Sequence, residues 1–161
     1  MKVIFLDVDG VLNSIGWMKK NDGNKHGNFE INPENVKMLK EIVDKTEAKI
    51  VLSSTWRNVD GTDANPRHPI YDYLVGELRK FGMEIFSRTP LANNDRPKEI
   101  KKWIDETSFD IESFISIDDD FSEKDYEKQG ICNRLIKTQF WDVNGGLQRN
   151  HVEQAIQLLN E

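Results

Sequence analysis

Residues 3–10 read VIFLDVDG: four apolar side chains, an aspartate, a valine, a second aspartate and a glycine. The apolar run is continuous rather than alternating, as in a strand buried on both faces of a parallel sheet. Asp7 and Asp9 stand where such a strand ends, and Gly10 supplies a residue free of the Cβ constraint for the turn beyond. A solvated acidic turn accounts for this stretch taken alone, since Asp and Gly are ordinary turn residues. A calcium loop does not, because the glycine and terminal glutamate of an EF-hand counted from Asp7 would fall on Leu12 and Met18. A phosphoryl-transfer site also fits, one carboxylate attacking phosphorus and the other moving the proton, provided that further groups occur downstream.

Two more continuous runs end in the same way. "KIVL" at 49–52 leads into Ser53, and "FISI" at 114–117 leads into Asp118, Asp119 and Asp120. In a parallel sheet these ends lie along one edge, so one crevice collects all the polar groups. Clustered carboxylates raise one another's pKa unless a cation neutralises them, and oxygen ligands with open water positions suit magnesium. Magnesium in turn implies an anionic substrate, most simply a phosphate. A cationic side chain should balance the transferring group, and "NNDRPKEIKKW" offers Lys98 near a helix start, where a surface lysine gains nothing from the helix dipole.

Shorter apolar runs, "MEIF" and "RLIKT", complete a set of five candidate strands. Helical spacing relates Val36, Leu39, Ile42 and Val43; Ile70, Tyr73, Leu74, Leu78 and Phe81; Ile100, Trp103 and Ile104; and Val152, Ala155, Ile156 and Leu159. Asn32 and Pro33 are placed as N-cap and first helical residue, and Gly82 as a terminator. Alternating strands and helices indicate an α/β fold, a three-layer α/β/α sandwich on a mainly parallel, Rossmann-like sheet. Residues 14–31 and 57–69 are polar, rich in Gly or Asn, and follow candidate catalytic strand ends, so they read as a flap and a substrate loop.

A chain of 161 residues is expected to form a single domain spanning residues 1–161. Its 22 Lys and Arg against 28 Asp and Glu give a net charge of −6, which disfavours long-range capture of nucleic acid but leaves room for a local basic groove. Cys132 is the single cysteine, cannot form an internal disulfide, and reads as a small core residue. With no membrane-length apolar run and no signal peptide pattern, a cytoplasmic location is expected and no membrane partner.

These motifs resemble, in order and spacing, those of the haloacid dehalogenase (HAD) superfamily of phosphatases: "FLDVDGVLN", "IVLSS", Lys98 in "RPKEI", and "SIDDD". Within it, "VLSSTWR" and the C-terminal "IKTQFWDVNGGL" look similar to the small HAD domains of Swiss Army Knife RNA-repair proteins. The resemblance implies a HAD-type phosphatase in which Asp7 is the nucleophile, forming an aspartyl-phosphate, and Asp9 the general acid and base. Members that use the phosphoenzyme for transport carry Thr at the second position, so Asp9 favours a hydrolase. The resemblance further implies that Asp7, the backbone carbonyl of Asp9 and Asp118 hold Mg2+, with Asp119 as a direct or water-mediated ligand. Ser53 would bind a phosphoryl oxygen, with Ser54 adjacent should the strand end slip by one; Gly10 joins the substrate-binding set, and Asp120 reads as a solvated or capping residue.

The span from Thr55 to Ile85 leaves no room for a large cap, and an open site admits bulky phosphoesters. The expected substrate is therefore a phosphomonoester on a nucleotide or on the phosphorylated end of RNA or DNA. Arg57 would turn back to bind a second phosphate, and Trp17, Lys19 and Lys20 of the flap, which also carries His26, would extend that contact by charge and base stacking. Trp56 reads as a core aromatic. A small-molecule phosphatase, and a non-catalytic binding module on the same fold, are the alternatives; the proton-shuttling Asp9 argues against the second.

Overall fold

The computed structural model describes residues 1–21, 30–59 and 69–161. Along these run β1 (Lys2–Leu6), α1 (Ile15–Lys20), α2 (Pro33–Thr46), β2 (Lys49–Leu52), a 3-10 turn (Thr55–Val59) and α3 (Pro69–Arg79). After these come β3 (Ile85–Arg88), α4 (Arg96–Glu106), β4 (Ser113–Asp118), α5 (Glu123–Glu127), β5 (Leu135–Lys137) and α6 (Arg149–Leu159). The strands form one open sheet in the order β3-β2-β1-β4-β5, with every pairing parallel. All five expected strands are present.

The continuous apolar runs are explained by burial on both sides. Along β1, Ile4 and Leu6 pack into a cluster with Val36, Leu39 and Ile42 of α2, Leu74 and Leu78 of α3, and Val152, Ala155 and Leu159 of α6. Val3 and Phe5, between them, face Ile100 and Trp103 of α4 and Tyr126 of α5. β1 thus alternates its faces between two cores, and no position along it remains for a polar residue until the strand ends; in β4 the buried Ser116 is accommodated by a hydrogen bond between its hydroxyl and that of Tyr126, 2.6 Å. Right-handed crossovers dictate which helix goes where. The chain steps from β1 out to β2 and β3 through α2 and α3 on one face, then returns past β1 to β4 and β5 through α4 and α5 on the other. β1 and β4 are therefore neighbours at the point where the winding reverses, which is where open α/β sheets bind ligands.

The boundary signals hold. Asn32 caps α2 through its side chain, which accepts from the Glu34 N–H, and Pro33 is the first helical residue. Gly82 lies at φ +70° just beyond α3. Two short helices, α1 and α5, carry too few turns to show a periodic apolar stripe. The flap expected at 14–31 contains α1, with 22–29 outside the described residues; the expected substrate loop begins with the 3-10 turn, with 60–68 outside them. Among the described residues no separate cap domain stands over the strand ends, and no helix is long and apolar enough to cross a membrane. Cys132 is exposed rather than buried. It sits in the turn between α5 and β5, where Ile131 takes the buried position and Gly130 and Asn133 adopt positive φ.

Candidate active site

The C-terminal ends of β1 and β4 bring Asp7 and Asp118 together. Asp7 is held at its backbone by donation from its N–H to the Ile117 carbonyl, 3.1 Å, and its Oδ1 accepts from the Val8 N–H at 2.8 Å. Asp118 is fully buried, and its Oδ1 accepts from the Asp120 N–H at 2.8 Å. Asp119, the next residue, leans over Gly10: a Cβ at Gly10 would stand 2.2 Å from the Asp119 Cγ, and Gly10 is at φ +72°. Glycine is required there for close approach as well as for the turn. The Gly10 N–H is taken by Asn13 Oδ1 at 2.9 Å, so Gly10, expected in the substrate-binding set, contributes room for Asp119 rather than a free N–H.

The cation beside these carboxylates is Arg96, not Lys98. The Arg96 guanidinium lies 3.2 Å from Asp7 Oδ2 and 2.7 Å from Asp118 Oδ2. Asp95 caps α4, accepting from the Lys98 N–H, and Arg96 is the first helical residue, with Pro97 second. That position faces the strand ends, whereas Lys98, about 200° further round the helix, is exposed and does not line the acidic crevice. A cation at a helix N-terminus is locally unfavourable, and the two carboxylates outweigh that cost. Burial opposes the Arg96 charge, but Asp7 and Asp118 prevail and raise its pKa. The Asp95 cap followed by Pro97 was the sequence signal that could have located Arg96.

Asp9 is oriented by two donors, Asn13, which sequence reasoning did not single out, and Trp56, which it read only as core. Its Oδ1 accepts from the Asn13 side-chain amide and its Oδ2 from the Trp56 indole N–H, each at 2.9 Å. Trp56 is a core aromatic, 4 % exposed, and is also a positioning group. Burial raises the Asp9 pKa, the two hydrogen bonds pull it down, and Asp7 adds to the rise; the net direction is upward.

At the end of β2, Ser53 and Ser54 are both buried. Ser54 Oγ accepts from the Trp56 N–H at 3.3 Å, capping the 3-10 turn, while Ser53 Oγ has no partner among the described residues. The expected role of Arg57 is contradicted. It is 2 % exposed, donates to the Ser53 carbonyl at 3.1 Å and the Ser54 carbonyl at 2.6 Å, and pairs with the buried Glu99 at 2.6 Å. Glu99 Oε1 also accepts from the Ala92 N–H at 2.9 Å, so the pair clamps the end of β2 to α4 and its entry loop. A guanidinium committed in this way is not available to a second phosphate.

The flap contacts divide by helix face. Ile15 and Met18 of α1 line the crevice with Asp7 and Asp9; Trp17 and Lys20 line a separate cavity beside Asn35 and Gln148. Lys19 is exposed, and His26 lies outside the described residues. Two aromatic residues not singled out from the sequence, Phe140 and Trp141, line the acidic crevice, as does the exposed Asp120.

Asp7, Asp118 and Asp119 each offer a carboxylate oxygen, and these atoms lie within 4.8 Å of one another. The Asp9 carboxylate, taken by Asn13 and Trp56, is not in the group. Burial, then Asp7, Asp118 and Asp120, push Asp119 up to about 7. Asp118 is raised by burial and held back by Arg96. Arg96 pairs with Asp7 and Asp118, and Lys137 acts on Asp119 without offsetting its rise, so negative charge is under-compensated, and an all-oxygen donor set of this kind fits a hard divalent cation.

An open, doubly wound sheet that gathers an Asp-x-Asp turn, a strand-end hydroxyl, a helix-borne cation and an acidic pair at its reversal point defines a HAD-type domain, a class made up mostly of phosphatases. The family model described as the HAD domain in Swiss Army Knife RNA repair proteins matches residues 3–152, and the chain belongs to that family. No curated protein and no solved structure matches the chain.

Proposed function

We propose that the protein is a magnesium-dependent phosphomonoesterase that works through an aspartyl-phosphate on Asp7 and acts on a nucleotide or a phosphorylated nucleic-acid end. The observation that carries this reading is the unequal setting of two carboxylates in one crevice: Asp7 is drawn into the Arg96 and Asp118 cluster, while Asp9 is set apart by Asn13 and Trp56. Two carboxyl groups in distinct environments suit a nucleophile and a proton carrier. The family's occurrence in RNA repair proteins supports a nucleotide-bearing substrate.

In the first step Asp7 attacks phosphorus as the bond to the leaving oxygen breaks, and that oxygen takes the proton of Asp9. In the second, Asp9 removes a proton from water, whose oxygen attacks phosphorus; the bond to Asp7 breaks and phosphate leaves. The raised pKa of Asp9 favours the protonated form that the first step needs. The Ser53 hydroxyl, which has no partner among the described residues, supplies a donor for a phosphoryl oxygen. Asp7, Asp118 and Asp119 would hold Mg2+, with the Asp9 carbonyl as a further ligand. The cation would offset charge on the carboxylates and the phosphoryl oxygens. Arg96 keeps Asp7 and Asp118 in register across the two strand ends.

Two outcomes follow. Asp9→Asn should lower kcat/KM, which reports the first step, by about 10²–10⁴-fold on an alkyl phosphate and much less on an aryl phosphate, whose leaving group needs no proton, while kcat falls on both because the second step is common to them. Steady-state kinetics on the two substrates check this, and equal losses in kcat/KM would remove Asp9 as the acid. Arg96→Ala should cost at least about 10²-fold in kcat/KM, while Lys98→Ala leaves it unchanged; the reverse ranking would restore Lys98 as the cation.

A further inference from the structure

The crevice, about 560 Å³ in volume, is lined by two unlike sets of side chains: the acidic and cationic groups around Asp7, and an apolar set made of Ile15, Met18, Phe140 and Trp141. Trp141 is 79 % exposed, although the loop on either side of it is held by backbone hydrogen bonds. The Ile15 N–H donates to the Phe140 carbonyl at 2.9 Å, and the Gly146 N–H to the Gln139 carbonyl at 3.0 Å. The Leu147 N–H donates to the Val11 carbonyl at 2.9 Å, which ties this loop to the turn that carries Asp9. A Cβ at Gly145 would stand 2.2 Å from the Gln139 carbonyl oxygen, and one at Gly16 would stand 1.9 Å from that of Val143. The loop is thus packed against α1 with no space to relax, while its largest side chain stays in solvent. Phe140 meets Trp141 edge-on with ring centroids 5.0 Å apart, which limits the indole's freedom further.

The charges beside this surface restrict what it can receive. Among the described lining residues Arg96 is the only cation, and it is paired with Asp7 and Asp118; Asp9, Asp119 and Asp120 are carboxylates. Lys137, whose ammonium donates to the Asp119 carbonyl, adds a second cation nearby, but the described carboxylates still outnumber the described cations, so a second phosphate would meet net repulsion from them, whereas a neutral planar ring would gain stacking area on a surface already in place. Asp7 is 6 % exposed and Trp141 lies at the solvent side, so a ring reaching the indole needs a spacer between it and the phosphate. A sugar is such a spacer. In phosphotyrosine the ring carries the phosphate directly.

We propose that Trp141, backed by Phe140, stacks the nucleobase of the nucleotide whose phosphate is held at Asp7, so that the protein selects a base-bearing phosphomonoester over a sugar phosphate. This rests on the phosphatase reading above and adds the group that is recognised. The test compares kcat/KM on AMP and on ribose 5-phosphate for the wild-type protein and Trp141→Ala. The wild type should prefer AMP, and the variant should lose about tenfold on AMP and far less on ribose 5-phosphate, so that the preference collapses. Equal losses on both substrates, or a preference for phosphotyrosine over AMP, overturns the proposal. A titration of Asp7→Asn with AMP, followed by tryptophan fluorescence, reads stacking without turnover. Quenching that disappears in Asp7→Asn/Trp141→Ala supports the proposal, and absent or persisting quenching overturns it. Should the wild type release phosphate from neither compound, nor from p-nitrophenyl phosphate or a phosphorylated oligonucleotide, the phosphatase reading fails and the fluorescence titration alone decides whether a base is stacked.

Discussion

Asp7→Asn should abolish phosphate release while leaving the fold intact. The amide fills the same space and can still accept from the Val8 N–H, but it cannot attack phosphorus. Loss of a covalent nucleophile is the largest catalytic effect open to a single substitution here, on the order of 10⁴-fold or more in kcat, by comparison with nucleophile knockouts in other enzymes. Unchanged turnover of p-nitrophenyl phosphate would falsify the mechanism. The same variant should be more heat-stable than the wild type in metal-free buffer at neutral pH, because Asp7 is among the charges that raise both Asp118 and Asp119. Asp119 has its carboxyl moved from 3.8 up to about 7 in the folded protein. Between those values the folded state binds more protons than the unfolded one, so stability should fall as pH rises through that window. A divalent cation held by the three carboxylates should reverse this trend. Thermal unfolding across pH with and without Mg2+ measures it; a metal-free stability that rises over the same window would contradict the crowding of these groups.

Glu99→Ala should be the most destabilising of the substitutions considered. It leaves the Arg57 guanidinium, 2 % exposed, without its carboxylate, and breaking one side of a buried ion pair costs about 3–5 kcal/mol. For a domain of 161 residues that corresponds to a fall of roughly 10 °C in Tm. Arg57→Ala should cost a similar amount, by stranding Glu99 with only the Ala92 N–H. Replacing both by methionine should recover much of the loss, since a well-packed apolar pair carries no desolvation penalty. Denaturant unfolding of the wild type, the two single alanine variants and the Arg57→Ala/Glu99→Ala double variant forms a double-mutant cycle. Additive losses would mean that the two side chains do not interact. Activity should fall in each single variant as well, because the pair fastens the Ser53 carbonyl to α4, and Arg96 lies at the start of that helix.

The fold was legible because its evidence is local and repeated. Continuous apolar runs alternate with helical stripes, a pattern that only a parallel sheet covered on both faces satisfies, and residues 2–6, 49–52 and 113–118 carry it. Because parallel strands share one direction, polar residues that follow such runs must share one edge; Asp7, Ser53, Asp118 and Asp119 were therefore readable without any contact being known. Side chains whose place depends on rotation about a helix or on a partner far along the chain were not. Arg96 and Lys98 are both basic and two residues apart, and only the pitch of α4 against the sheet separates a buried cation from an exposed one. Arg57 reads as a phosphate ligand in the sequence because nothing nearby foretells Glu99, 42 residues on, whose carboxylate holds it. Trp56 meets Asp9 across 47 residues, and Trp141 reaches the crevice only because its loop packs on α1 and on the turn after β1. Strand order and edge chemistry follow from periodicity in a single chain, whereas the pairing of charges and the exposure of an aromatic ring follow from which surfaces meet, and that is settled only when the layers pack.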